Sequence, residues 1–226
     1  MSCLRELLRC RNCLGELGEG TQAGLCGRCW SLLTPLPEER CPFCALVHAW
    51  GDPCADPVAW SWGDALWDYH GGLGSLLVPA IKRGELGWKH ALLGRARQAS
   101  LPPWTRGFDL VCHAPTARLR RWWRGFDLAE DAAALFAKRL GAAFRSVLRK
   151  PFYTRAQASL PQAQRRAGAH VTLARGQEVA GSAVLLVDDV WTTGTTLLRC
   201  ARVLDGAGAR EVAVLALFRA GRRGGN

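Results

Sequence analysis

Residues 184–196 read VLLVDDVWTTGTT. Four apolar residues, Val184 to Val187, run into two adjacent acids, Asp188 and Asp189. After Val190 and Trp191 come four threonines around one glycine, Gly194. A short unbroken apolar run bounded by polar residues is the pattern of a strand covered on both faces. Working outward, Ser182–Val187 predicts that strand, with the acids at its tip. Thr195–Leu204 predicts a helix, with Gly206 and Gly208 past its end as stop signals. Glu211–Phe218 predicts the next strand. A strand, a short helix and a strand make a βαβ unit, so the sheet is expected to be parallel and the fold class α/β. Further upstream, Asp109–Cys112 predicts a short strand running into Pro115. Leu128–Leu140 predicts a helix, because its apolar residues recur at helical spacing without Gly or Pro.

The chemistry of residues 184–196 follows from their order. Carboxylates accept hydrogen bonds from sugar hydroxyls. Hydroxyls and backbone N–H groups at the start of a helix donate to a phosphate. The segment therefore suits a phosphorylated sugar. The chain contains no G-x-x-x-x-G-K-S/T loop and no dinucleotide fingerprint, so phosphoribosyl pyrophosphate (PRPP) fits better than a nucleoside triphosphate. The plainer alternative is two acids and a turn that merely cap a helix. Trp191 is open to two readings, a ring stacked on a base or a ring packed beneath the loop.

With 226 residues, the chain has room for one α/β domain and a small module. Composition places the module at 1–60 and the larger domain at 61–226, with a disordered tail at 221–226. The formal net charge is +11, unevenly spread: residues 1–60 carry 5 basic and 7 acidic side chains, residues 61–226 carry 25 and 12. The larger domain is the part expected to attract polyanions, unless its charge is only a solvated basic face. Arg5, Glu6, Arg9 and Arg11 interrupt any apolar amino-terminal core, so a signal peptide is not expected. No run is long enough for a transmembrane segment. The expected compartment is the cytoplasm, where clustered cysteines hold metal more often than disulfides.

Eight of the ten cysteines fall within the first 54 residues. Cys10-x2-Cys13 and Cys26-x2-Cys29 form a four-thiolate zinc signature, in which each pair makes a tight knuckle. Four protein ligands leave no open position, so the expected role of zinc is structural. A third pair, Cys41-x2-Cys44, lacks its natural partner. His48 and Cys54 complete a Cys3His set in one reading, and in the other the second site has decayed. Cys3, Cys112 and Cys200 have no spaced partner and read as small buried residues.

A second dense motif is Pro115-x5-Arg121-x2-Arg124-Gly125-Phe126-Asp127. Arginines suit phosphate or pyrophosphate, and Phe126 is placed to stack on a base. The alternative is a solvated basic turn before the helix at Leu128. Trp122 and Trp123 lie among Arg118, Arg120, Arg121 and Arg124, an interleaving that single-stranded DNA binders use; core packing is an equal reading. For Trp30, Trp60, Trp62 and Trp67 packing is the expectation.

The order of cysteine knuckles, Lys82-Arg83-Gly84, Pro115 with Arg124-Gly125-Phe126, Arg155 with Gln157 and Leu160, then the Asp-Asp loop resembles the ComF family. VLLVDDVWTTGTT itself resembles the PRPP motif of type I phosphoribosyltransferases. The resemblance implies that Asp188 and Asp189 contact ribose hydroxyls and that Thr192, Thr193, Gly194, Thr195 and Thr196 wrap the 5′-phosphate. It implies that Mg²⁺ arrives with the pyrophosphate, for which Lys82, Arg121, Arg124, Phe126 and Arg155 are pyrophosphate or DNA candidates. It further implies an amino-terminal double zinc ribbon and action in DNA uptake during natural transformation. PRPP, single-stranded DNA and a DNA-translocating helicase at the inner face of the membrane are then the partners. A nucleotide-metabolism phosphoribosyltransferase and an inactive zinc-scaffolded adaptor are the alternatives. The chain departs from the family's pattern at Asp127 and Gly168, each standing where an Asn is usual, and at the broken fourth cysteine pair. Purine-salvage enzymes often place an Asp where Thr192 stands.

Overall fold

The computed structural model describes residues 9–49, 52–54, 58–70, 72–116, 125–150 and 171–221. In chain order these residues form α1 (Gly27–Trp30), β1 (Trp62–Asp68), α2 (Gly74–Lys82), α3 (Leu86–Gln98), β2 (Leu110–His113), α4 (Leu128–Leu140), β3 (Ala143–Phe144), β4 (Leu148–Arg149), β5 (Thr172–Leu173), β6 (Ala183–Trp191), α5 (Thr195–Gly206) and β7 (Glu211–Arg219). Five strands make one sheet in the order β1-β7-β6-β2-β3, all pairs parallel. β4 and β5 form a separate antiparallel pair. The α/β class and the parallel sheet are as the apolar runs predict.

Local chemistry explains the elements. At α4, the Asp127 carboxylate accepts from the Ala129 N–H at 3.0 Å, and Glu130 and Asp131 fill the first turn. Lys138 and Arg139 fill the last turn, and Gly141 ends the helix at φ 69°. Acids at the start and bases at the end both suit the helix dipole. α5 buries Leu197, Cys200, Ala201 and Leu204, a single stripe at helical spacing.

β6 runs four residues beyond the predicted end at Val187. Its backbone keeps pairing with β7, with Asp188 opposite Ala216, Val190 opposite Phe218 and Trp191 opposite Arg219. The acids therefore lie within the ladder rather than past it. Apolar pattern marks where side chains are buried, whereas pairing depends on the neighbour's backbone, which extends to Arg219.

Two packed cores lie on the sheet's two faces, because alternate residues of β6 point opposite ways. Leu185 and Val187 join α2, α3 and α4 through Leu77, Ile81, Leu92 and Phe136, and Leu25, Cys29 and Trp30 of the first cysteine segment pack in the same core. Val184 and Leu186 join α5 through Leu197 and Leu204, with Cys44, Ala45 and Trp60 of the second segment. Trp30, Trp60 and Trp67 are buried, as expected of packing residues. Trp62 departs from that expectation, with 39% exposure. It stands at the start of the edge strand β1, between the rings of Phe43 and Trp104. Cys112 and Cys200 are fully buried, and Cys3 lies outside the described residues. Of the tail, only Gly221 is described.

The second cysteine segment docks on β1 through Gly63, whose N–H donates to Pro42 O at 2.8 Å. A Cβ at Gly63 would strike Phe43 O and come within 2.8 Å of the Trp191 ring. Gly63→Ala is therefore expected to cost roughly 1–3 kcal/mol, read as a lower midpoint in urea unfolding.

Candidate functional site

The site begins where β6 ends. Its four-residue extension carries Asp188 and Asp189 into a turn that Gly194 closes at φ 72°, and α5 starts at the next residue. A left-handed residue there is natural only for Gly. Thr192, Thr193 and Thr195 are exposed, and the hydroxyls of Thr193 and Thr195 meet at 2.9 Å. The Leu198 N–H donates to Gly194 O at 2.7 Å, so the first turn of α5 is closed. The Thr195 N–H lies 3.5 Å from Thr193 Oγ1 at this helix start, the kind of place that holds an anion.

Lys82, the last residue of α2, reaches Asp189 at 2.6 Å between Nζ and Oδ2. Two candidates singled out from distant parts of the sequence thus meet at one place. The Asp188 carboxylate accepts from the Asp189 N–H at 2.8 Å. Burial first, and the neighbouring Asp189 charge second, hold its pKa well above the ordinary carboxylate value; the charges of Lys82 and Lys150 only partly offset this. Lys150, which no sequence motif marks, therefore contributes to the field at the acid pair. Beneath it the Cys200 thiol is pushed up to about 12 by burial and by the Asp188 charge.

Trp191 packs beneath the loop. It is 2% exposed, meets Trp60 edge-on at a centroid distance of 5.3 Å, and has the Arg219 guanidinium 4.6 Å from its ring centre. That settles its two readings in favour of packing. Phe126 is half-buried and faces Lys89, whose Nζ lies 4.7 Å from its ring centre and 2.8 Å from Asp131. The structure does not bring Phe126 to Asp188 or Asp189 by any described contact. Arg121, Arg124, Arg155, Trp122 and Trp123 lie outside the described residues.

The cysteines converge in two groups. Cys10, Cys13, Cys26 and Cys29 form one; Cys41, Cys44, His48 and Cys54 form the other. In each, the four ligand atoms lie within 4.8 Å of one another. Sulfurs about 2.3 Å from a zinc ion stand about 3.8 Å apart at tetrahedral angles. Cys10 and Cys29 are 3.5 Å apart, Cys13 and Cys26 3.7 Å, Cys41 and Cys54 3.7 Å, and Cys44 Sγ is 3.4 Å from His48 Nε2. Both donor sets fit a tetrahedral zinc. The second fits as Cys3His, one of its two readings from sequence.

In each group one thiol is biased toward ionisation. At Cys10 burial raises the pKa, but backbone N–H donors from Asn12, Cys13 and Cys26 outweigh it and bring it to about 6. Burial pushes Cys29 up to about 12. Cys41 and Cys54 divide in the same way, at about 7 and about 12. Sulfurs this close cannot all ionise alone, and a dication removes that conflict.

Residues 124–226 match the phosphoribosyl transferase domain family. The carboxyl-terminal part of this chain thus carries a phosphoribosyltransferase-type domain. Among solved structures, the chain is similar to glutamine PRPP amidotransferase from B. subtilis, at 28% identity over 57% of this chain and 26% of that one, with a TM-score of 0.40. It spans about a quarter of that enzyme's length. It is also similar to adenine phosphoribosyltransferase from Thermoanaerobacter pseudethanolicus, at 18% identity over 65% of this chain and 85% of that one, TM-score 0.36. Purine phosphoribosyltransferase from Pyrococcus horikoshii is a third, at 18% identity over 58% and 78%, TM-score 0.33. No curated protein matches the chain. Among the described residues, no helix is long and apolar enough to cross a membrane.

A carboxyl whose folded pKa is raised stabilises the fold fully only below its unfolded value, about 3.9, and loses that contribution as pH rises through the folded value. Asp188→Asn removes the charge and keeps the acceptor for the Asp189 N–H. It is expected to melt at a higher temperature than the parent chain at pH 7.5, with the gap closing toward pH 4. Thermal unfolding across that range is the check; a lower melting temperature at pH 7.5 contradicts the assignment.

Proposed function

We propose that this chain binds PRPP with Mg²⁺ at Asp188–Thr196 and acts as a ComF-like protein of DNA uptake. The observation that carries the reading is the convergence of Lys82 on Asp189 beside a glycine-closed, threonine-lined helix start. The 5′-phosphate lies against Thr192–Thr196 and the amino end of α5. The ribose hydroxyls donate to Asp188 and Asp189. Lys82, held by Asp189 in the free protein, turns to the pyrophosphate that enters with Mg²⁺. Zinc in the two cysteine groups is structural, and the amino-terminal module at 1–60 is a double zinc ribbon beside a domain at 61–226. In this reading the protein works in the cytoplasm, at the inner face of the membrane beside a translocating helicase.

A row of rings supports the DNA part of this reading. Phe43 and Trp62 are exposed by 43% and 39%. Phe43–Trp62 and Trp62–Trp104 are each 6.4 Å apart and within 15° of parallel. Such a row offers faces on which successive bases stack, while Arg120, Arg121 and Arg124 supply phosphate contacts.

The enzymatic alternative is displacement of pyrophosphate from C1 of PRPP by a nitrogen base, through an oxocarbenium-like transition state. Thr192 offers no carboxylate to assist the incoming base. Calorimetry is expected to show Mg²⁺-dependent PRPP binding that the double variant Asp188→Asn/Asp189→Asn loses. Absence of binding by the parent chain overturns the PRPP reading. Release of pyrophosphate with a base would favour the metabolic enzyme, and binding without turnover the DNA-uptake protein or an inactive adaptor. Single-stranded DNA binding is expected to weaken steeply with salt and on replacing Arg120, Arg121 and Arg124 by Ala. Trp62→Ala is expected to remove about 1–3 kcal/mol of that affinity, measured by fluorescence anisotropy. Native mass spectrometry is expected to find two zinc ions per chain, with one lost in Cys13→Ser.

A further inference from the structure

Three successive carbonyls of the second cysteine knuckle are held from outside it, two by the sheet strands β1 and β7 and one by Trp60. Pro42 O accepts from Gly63 N–H at 2.8 Å, Phe43 O from Trp60 Nε1 at 2.7 Å and Cys44 O from Arg219 Nε at 2.8 Å. The sulfurs of the same knuckle turn the other way, toward His48 and Cys54. Arg219 is the last residue of β7 and is 1% exposed. Its Nη1 donates to Trp191 O at 3.0 Å, to Ala220 O at 2.8 Å and to Thr192 O. One rigid, planar cation is thus tied at one edge to a cysteine of the second cluster and at another to the first threonine of the loop.

The loop also rests on the rings beneath it. A Cβ at Gly194 would lie 2.9 Å from Trp191 Nε1 and 3.7 Å from the Trp60 ring. Trp60 is the residue that holds Phe43 O. Two routes therefore join the knuckle to the loop: Cys44–Arg219–Thr192 and Phe43–Trp60–Gly194. Among the described residues the first cluster has neither, since its buried Cys10 and Cys29 pack in the core on the sheet's other face.

We infer that Arg219 is a positioning residue through which the second cysteine cluster sets the shape of the Thr192–Gly194 turn, so that ligand binding there depends on the metal held by Cys41, Cys44, His48 and Cys54. The role assigned to the ligand rests on the PRPP reading above; the mechanical coupling does not. A metal cross-links residues 41–54 and fixes Cys44 O. Without it that segment loosens and the Arg219 Nε–H loses its acceptor. A buried cation with an unmet donor is costly, so the guanidinium shifts and takes Thr192 O with it.

The test uses the full chain and hydrogen exchange of peptides covering 190–196, with zinc content read by native mass spectrometry. His48→Ala is expected to lose one zinc and to speed exchange in that segment by about tenfold or more. Cys13→Ser also loses one zinc and is expected to leave that segment unchanged. Arg219→Lys is expected to keep both zinc ions yet speed exchange in the segment, because an ammonium cannot reach both edges at once. PRPP affinity, measured alongside, is expected to fall about tenfold in His48→Ala and Arg219→Lys. Unchanged loop exchange in His48→Ala overturns the inference, as does an equal rise in Cys13→Ser, which would mark general loosening. If the parent chain fails to bind PRPP, the PRPP reading falls, and the exchange measurements still decide the coupling.

Discussion

The continued pairing of β6 with β7 past the end of the apolar run is the constraint on which the site depends. Asp188, Val190 and Trp191 are held in register by Ala216, Phe218 and Arg219. The strand therefore ends one residue before the threonines, and the acids are carried on a rigid element rather than a loop. That rigidity keeps two successive carboxylates near enough to feel each other's charge, although burial first and that charge second oppose ionisation of Asp188. The same pairing brings Arg219 level with Trp191, from where its guanidinium reaches both the loop and the cysteine knuckle.

The two cysteine groups differ in what they touch. The first shares a core with α2 and α3: Trp88 Nε1 donates to Ala23 O at 2.8 Å, and Arg11 pairs with Glu85 at 2.6 Å. Glu85 lies three residues beyond Lys82, on the link between α2 and α3. The second group packs on the opposite face with α5 and lies against the underside of the Asp-Asp loop. A chain with about half its residues apolar can spread one continuous fold over both faces of a five-stranded sheet in this way.

Much of this was legible in residue order. The βαβ unit from Ser182 to Phe218 and the helix at Leu128–Leu140 follow from apolar runs and glycine stops, which act locally. The Cys-x2-Cys pairs announce knuckles because two sulfurs at that spacing can face one ion. β1, α2 and α3 were not separable by eye in residues 61–98. β1 is marked by tryptophans that read as packing residues anywhere. α2 carries Pro79 and α3 carries Gly87 and Gly94, so their helical pattern is interrupted. Lys82 stands out only within the Lys82-Arg83-Gly84 segment, with nothing in the order of residues to connect it with Asp189. Arg219 had one signal, a lone cation closing a nine-residue strand that is otherwise apolar after Glu211. Such a residue reads as a strand end until its burial is known.

The sequence alone determined the class of fold, the identity of the acid pair and threonine turn, and the membership of the first cysteine group. Each is set by contacts between residues close in the chain, or by ligand spacing that one ion imposes. Tertiary structure decided that β6 reaches Trp191, that Trp191 lies under the loop, and that His48 and Cys54 join Cys41 and Cys44. It also decided that Lys82 meets Asp189 and that Arg219 spans knuckle and loop. Those outcomes depend on which strand neighbours which and on which face each element buries. Such choices are made by packing; residue order offers the readings of Trp191 and of the His48–Cys54 pair without deciding them, and it gives no sign of the Lys82 and Arg219 contacts.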